Sequence, residues 1–153
     1  MPPRKLVLDT NCFIQATRSD AANTAYELFI ARAAPRLYLS SVVAAELRAG
    51  TAGATESRQL DDEVFGPYRR RGRIVTPSAN AWDGLGTTLR TLVREEGLQL
   101  RATPRSFIFD ILIAYSCREI GALLVSANVV DLARIARVFD FEYAEPYPDP
   151  AVV

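Results

Sequence analysis

The sequence predicts an α/β fold in which a mainly parallel sheet of about five strands is flanked by helices. Three observations carry this. Short apolar runs alternate with stretches of helical periodicity. The 153 residues show no internal repeat and no linker, so one domain closes one core. Hydrophobic residues make up 49% and charged residues 24%, a globular composition that excludes disorder.

The elements follow in order. Leu6-Val7-Leu8 is a short apolar run that stops at Asp9-Thr10-Asn11, a buried strand closed by turn formers. Between about Asp20 and Ala33, the positions Ala25, Leu28, Phe29 and Ala33 recur at helical spacing, with Pro35 as the stop. Leu37-Tyr38-Leu39 is the second strand. Ser40 or Ser41 then caps a helix through Val42-Val43-Ala44-Ala45-Glu46-Leu47, which ends at Gly50. Residues 54–72 are polar and read as a surface helix running into Arg69-Arg70-Arg71-Gly72. Ile74-Val75 is the third strand, and Pro77 or Ser78 opens a helix to about Glu96, closed by Gly97. Phe107 to Tyr115 is apolar throughout, and its flanks make it a helix: Thr103 as N-cap, Pro104 at the first position, Gly121 at the end. Ala122-Leu123-Leu124-Val125 is the fourth strand, a helix spans Asn128 to about Val138, and Phe141-Glu142-Tyr143 is the fifth strand. The domain is thus residues 1–145, with 146–153 a proline-rich tail expected to fray.

Composition removes whole classes of chemistry. There is no histidine, which excludes Ser-His-Asp and Cys-His catalysis and histidine-ligated zinc. Cys12 and Cys117 are too few for a four-thiolate zinc site or a disulfide framework and point to a reducing compartment. Met1-Pro2-Pro3-Arg4-Lys5 lacks the features of a signal peptide, and no run approaches the ~18 apolar residues of a membrane span. A cytoplasmic location without membrane attachment is expected. The 18 basic and 18 acidic residues balance, so no global field steers the chain onto nucleic acid. Chemistry must rest on carboxylates, arginines, hydroxyls or a bound metal.

Four acids stand out. Asp9 lies at the carboxyl end of the first strand, where open α/β sheets bind ligands, although a turn or cap role also fits it. Glu46 has Val42, Val43, Ala49 and Gly50 as helical neighbours, an apolar face on which a carboxylate is costly unless paired with an arginine or a metal. Asp110 sits inside Phe107-Ile108-Phe109-Asp110-Ile111-Leu112-Ile113-Ala114 and requires a partner: metal, arginine or helix terminus. Asp131 follows the fourth strand in Ser126-Ala127-Asn128-Val129-Val130-Asp131, where Asn128 as cap and Asp131 in the first turn would also explain both. Carboxylates converging at one sheet edge raise one another's pKa unless a cation neutralises them. All-oxygen ligands suit Mg²⁺ or Mn²⁺, which can activate water for phosphodiester hydrolysis. Phosphoaspartate enzymes, receiver domains and haloacid-dehalogenase-type enzymes fit less well. Each uses a lysine after a later strand, and Lys5 is the sole lysine. Gly84-Leu85-Gly86 lacks the rest of a phosphate-loop fingerprint.

The ordered set Leu6-Val7-Leu8-Asp9-Thr10-Asn11, Ser40-Ser41-Val42-Val43-Ala44-Ala45-Glu46-Leu47, Phe109-Asp110-Ile111-Leu112-Ile113-Ala114 and Leu124-Val125-Ser126-Ala127-Asn128-Val129-Val130-Asp131-Leu132 resembles the PIN-domain ribonucleases. It is most similar to the VapC-type toxins of toxin–antitoxin pairs. The resemblance implies a three-layer PIN-like fold and a Mg²⁺- or Mn²⁺-dependent ribonuclease. It makes Asp9, Glu46, Asp110 and Asp131 the catalytic and metal-binding acids, with Asn11, Ser126 and Asn128 as supporting polar groups. It also implies a homodimer and a VapB-like antitoxin that inserts a segment near the active site. Ser126 stands where relatives commonly have Thr, Leu132 where they have an aromatic, and Ala127 where many carry a basic or aromatic residue. Alternatives are an RNA-processing PIN protein outside any toxin pair, or a non-catalytic interaction module, against which the intact acids speak. With zero net charge, RNA must be held by a local patch. Arg69, Arg70, Arg71 and Arg73 form the densest basic cluster, and Arg101 and Arg105, just ahead of the Asp110 helix, compete with it.

Overall fold

The structure is a computed structural model that describes residues 3–153. Five parallel strands lie in the order β3-β2-β1-β4-β5: β1 (Leu6–Leu8), β2 (Leu37–Ser40), β3 (Ile74–Val75), β4 (Leu123–Val125) and β5 (Tyr143–Ala144). Leu6 pairs with Leu37 on one side and Leu123 on the other, so β1 is the central strand. Its three residues and those of β4 are fully buried, which is why they read as unbroken apolar runs.

The chain steps from β1 out to β2 and β3, then returns to build β4 and β5 on the other side of β1. Right-handed crossovers then place α1 (Thr10–Ala16) to α5 (Gly66–Arg70) on one face, and α6 (Ala79–Glu96), α7 (Arg105–Ile120) and α8 (Val129–Ala136) on the other. The reversal between β1 and β4 opens a crevice beyond their carboxyl ends, the place where such sheets bind ligands.

The helix boundaries are written in familiar chemistry. Ser40 caps α3 (Ser41–Ala49) by accepting from the Val42 and Val43 amides, and Ser78 caps α6 through the Ala81 amide. Gly97 and Gly121 end α6 and α7 in the left-handed conformation, at φ +70° and +68°. Gly84 serves packing instead: a Cβ there would meet the Tyr115 ring at 2.5 Å, so its absence lets α6 and α7 approach closely. No helix among the described residues is long and apolar enough to cross a membrane.

Several expectations need correction. Asp9-Thr10-Asn11 does not close β1 as a turn; it opens α1, with Asp9 as the N-cap. Turn formers and helix starters are the same residue types, so the sequence there reads either way. Thr103 is not the cap of α7. It ends a single tight turn, Leu100–Ala102, and Pro104 occupies the extended position before Arg105. The helix expected over residues 54–72 runs without a break from α4 (Ala54–Gln59) into α5, but its middle, Leu60–Phe65, is wound more widely, and Phe65 lies in the core at 1% exposure. The last strand pairs through Tyr143–Ala144. The tail packs back on the domain: Tyr147 stacks on Phe29 at 4.9 Å, and Arg36 donates to the Pro150 and Val153 carbonyls while its Nε holds the Arg4 carbonyl. Those partners lie more than 100 positions from the tail, where no local pattern can announce them.

Candidate metal centre

Each acid is delivered by a different element. Asp9 stands between β1 and α1, Glu46 in the second turn of α3, Asp110 in the second turn of α7, and Asp131 in the first turn of α8. Asp9, Glu46 and Asp110 line one open cleft of about 400 Å³, together with Thr10, Asn11, Ser106 and Asn128. Asp131 does not line it and is joined to it through Asn128.

The hydrogen bonds inside the cleft come from neutral donors. Asp9 Oδ1 accepts from the Thr10 amide (2.8 Å), and its Oδ2 accepts from Ser126 Oγ (2.7 Å) and Asn11 Nδ2 (3.2 Å). Glu46 Oε1 accepts from Thr10 Oγ1 at 2.8 Å. Asn128 is not the side-chain cap expected of it. Its amide nitrogen instead bridges two carboxylates, donating to Asp110 Oδ2 (2.8 Å) and Asp131 Oδ2 (3.0 Å). Asn11 ties the β4–α8 loop to α1: its Nδ2 also donates to Ser126 Oγ, and its Oδ1 accepts from the Ala127 amide.

Among the described residues, no arginine or lysine forms an ion pair with Asp9, Glu46, Asp110 or Asp131. Among the described residues, the arginine ion pair weighed for Glu46 and Asp110 is therefore not formed. Asp110 is only 6% exposed and Asp9 3%. Burial, reinforced by the charge of Asp9, pushes Asp110 up to about 8, against the pull of the Asn128 bond. Burial likewise raises Asp9 against its bonds to Ser126, Thr10 and Asn11. Glu46 is raised by burial and the Asp9 charge, while its Thr10 bond and the charge of Arg105 act the other way.

This donor set fits a hard divalent cation. Glu46, Asp110 and Asp131 each have one oxygen held by a neutral donor and, among the described residues, no donor on the other, the arrangement in which outer partners orient metal ligands. Among the described residues, no three acidic or thiol side chains are already gathered to hold an ion.

Residues 6–138 match the family model of the PIN domain. The chain belongs to the PIN domain family. PIN domains are generally nucleases. Solved structures extend the likeness over nearly the whole chain. The DNA-bound VapBC from Salmonella typhimurium superposes with a TM-score of 0.67 at 19% identity, covering 94% of this chain and 99% of that one. VapBC2 from Rickettsia felis, bound to a DNA fragment from its promoter, gives 0.59 at 25% identity over 92% and 97%. FitAcB from Neisseria gonorrhoeae gives 0.63 at 16% identity over 97% and 99%. The resemblance to VapC-type PIN domains read from the motifs is thus matched by the fold. No curated protein sequence matches the chain.

Within this PIN domain the expected arginines separate. Arg69 pairs with Asp61 at 2.9 Å and lies over the Phe65 ring, and Arg70 folds back over Gly66. Arg71 and Arg73 line a small cavity with Tyr26 and Leu37, near the start of β2, and Arg73 donates to the Ala34 carbonyl. None of them lines the acid cleft. Arg101 is exposed in the turn before α7, and Arg105 opens that helix, one residue ahead of the cleft-lining Ser106. Sequence reasoning missed three cleft residues, Thr10, Ile14 and Ser106. Ser106 precedes Asp110 by four positions on one helix face, a spacing that would have revealed it. Thr10 was absorbed into a presumed turn.

Proposed function

We propose that the protein is a Mg²⁺- or Mn²⁺-dependent ribonuclease and the toxin of a VapBC-type pair. One observation carries the reading: a cluster of acids, two of them buried, stands at the sheet's switch point without a basic partner among the described residues. Asp9, Glu46 and Asp110 would hold the ion, and Asp131 would act from behind Asn128. When bound, such an ion lowers the pKa of a water and stabilises charge on a phosphoryl oxygen. The chain's own groups do the rest. Ser126, Asn11 and Thr10 fix the Asp9 carboxylate, and Asn128 fixes Asp110. Arg105 is the arginine best placed to meet a phosphate beside the cleft. Its replacement by Ala is expected to flatten the log–log salt dependence of RNA binding by roughly 0.7, and an unchanged slope would remove it from the interface.

The toxin reading is favoured over free-standing RNA processing by a second feature. An apolar groove of about 430 Å³, lined by Phe13, Tyr26, Leu47, Leu60 and Val64, runs into the acid cleft, and Ile14 and Glu46 line both. A VapB-like antitoxin segment lying in it would reach the acids. The VapBC complexes among the solved structures, the resemblance to VapC-type proteins and the implied homodimer belong to the same reading, as does a cytoplasmic location.

Incubating the pure chain with total RNA tests the activity. Cleavage is expected with Mg²⁺ or Mn²⁺ and is expected to stop with a chelator. Attack by water also leaves no 2′,3′-cyclic phosphate at the new ends. Cleavage that persists in chelator, or cyclic ends, would overturn the metal-dependent reading.

A further inference from the structure

Thr10 makes two hydrogen bonds that join acids from different parts of the chain. Its backbone N–H donates to Asp9 Oδ1 at 2.8 Å, and its hydroxyl donates to Glu46 Oε1 at 2.8 Å. Glu46 lies 36 positions away, on α3, and is only part-buried. Thr10 Oγ1 is the donor that the structure gives to its carboxylate. A flexible Glu side chain loses considerable rotamer freedom when fixed. An anchored carboxylate has already met that cost before an ion arrives. The site of the anchor is also stiff: Thr10 is the first residue of α1, directly after the Asp9 cap, and its branched Cβ restricts χ1.

We infer that Thr10 is a positioning residue: its hydroxyl holds Oε1 of Glu46 so that Oε2 faces the Asp9–Asp110 cleft, coupling α3 to the β1–α1 junction. The inference rests on the reading that these acids hold a divalent ion. It assigns the hydroxyl, and not the methyl or the backbone, as the group that matters. Thr10→Val keeps the shape and the amide bond to Asp9 while removing the donor, and Thr10→Ser keeps the donor. Losing an outer partner of a metal ligand typically costs 10–100-fold in affinity.

The test is Mn²⁺ binding to the full chain, read by the loss of the free-ion electron paramagnetic resonance signal, with no RNA present. Thr10→Val is expected to weaken Mn²⁺ binding by about 10-fold or more, and Thr10→Ser to restore it to near the parent value. On a Glu46→Gln background, Thr10→Val is expected to add little, because its target is already altered. Should Thr10→Val lose its melting transition, Thr10→Ala against Thr10→Ser makes the same comparison. Parent-like Mn²⁺ affinity in the folded Val or Ala variant would overturn the inference while leaving the metal site intact. A Ser variant as weak as Val would also overturn it, by showing that the methyl group carries the effect. A parent chain that binds no Mn²⁺ overturns the metal reading itself, and the inference with it.

Discussion

Asp110→Asn is expected to abolish RNA cleavage, by at least about 100-fold, without harming the fold. The substitution is isosteric, and the new side-chain oxygen still accepts from Asn128 Nδ2 at the distance Asp110 does, 2.8 Å. What it removes is an acid among other acids that form no ion pair among the described residues. At pH 6 Asp110 holds its proton, because its pKa is pushed up to about 8, so exchanging it for a neutral amide changes stability little. At pH 9 the parent carries the buried charge and the variant does not, so the variant melts higher in metal-free buffer. A structural ion pair predicts the reverse, since breaking a buried pair costs roughly 3–5 kcal/mol. Melting curves at the two pH values in chelator, beside a cleavage assay, separate the outcomes. Full cleavage by the variant, or a large loss of stability at pH 6, would contradict the role given to Asp110.

The second large effect is the pH dependence of the metal-free fold. Asp9, Glu46 and Asp110 all titrate higher in the folded chain than when unfolded, chiefly because burial penalises their charged forms. Above the ordinary value of 3.8, an unfolded Asp110 releases its proton, while the folded chain keeps it until about 8. The folded state therefore binds more protons, and stability falls as pH rises through that window. Asp61, held well below the usual carboxylate range by Arg48 and Arg69, acts oppositely and only at more acidic pH. The metal-free melting temperature is thus expected to drop from pH 5 to pH 8. Mn²⁺ displaces these protons, so its stabilisation grows over the same range. At 100 times its Kd an ion adds about 2.7 kcal/mol, roughly 5–10 °C for a chain of this size. A melting temperature that rises toward pH 8 in chelator, or that ignores Mn²⁺, would count against an uncompensated acid cluster.

The parts of this account readable from sequence are those where one residue conflicts with its surroundings. Asp110 within the apolar stretch of α7 and Glu46 on the inner face of α3 announced themselves because a carboxylate there needs a partner. Gly97, Gly121 and Ser78 marked helix ends through backbone chemistry that acts over a few residues. The sheet followed from alternation alone. The missed features depend on distant partners. Asn128 looked like a cap, yet its amide is claimed by Asp110 and Asp131. Arg69 stands in the basic cluster, and its contacts to Asp61 and Phe65 form only once this stretch is folded. The Thr10 bond to Glu46 exists only once α3 packs beside α1.

The central claim is that the acids at the ends of β1 and β4 exist to hold a divalent cation. Crystals of the chain grown with Mn²⁺ and measured near the manganese absorption edge address this directly. An anomalous peak is expected in the cleft between Asp9, Glu46 and Asp110, with Asp131 reached only through Asn128 or water. A cleft with no peak at saturating Mn²⁺, its acids instead met by Arg105 or another cationic side chain, would contradict it.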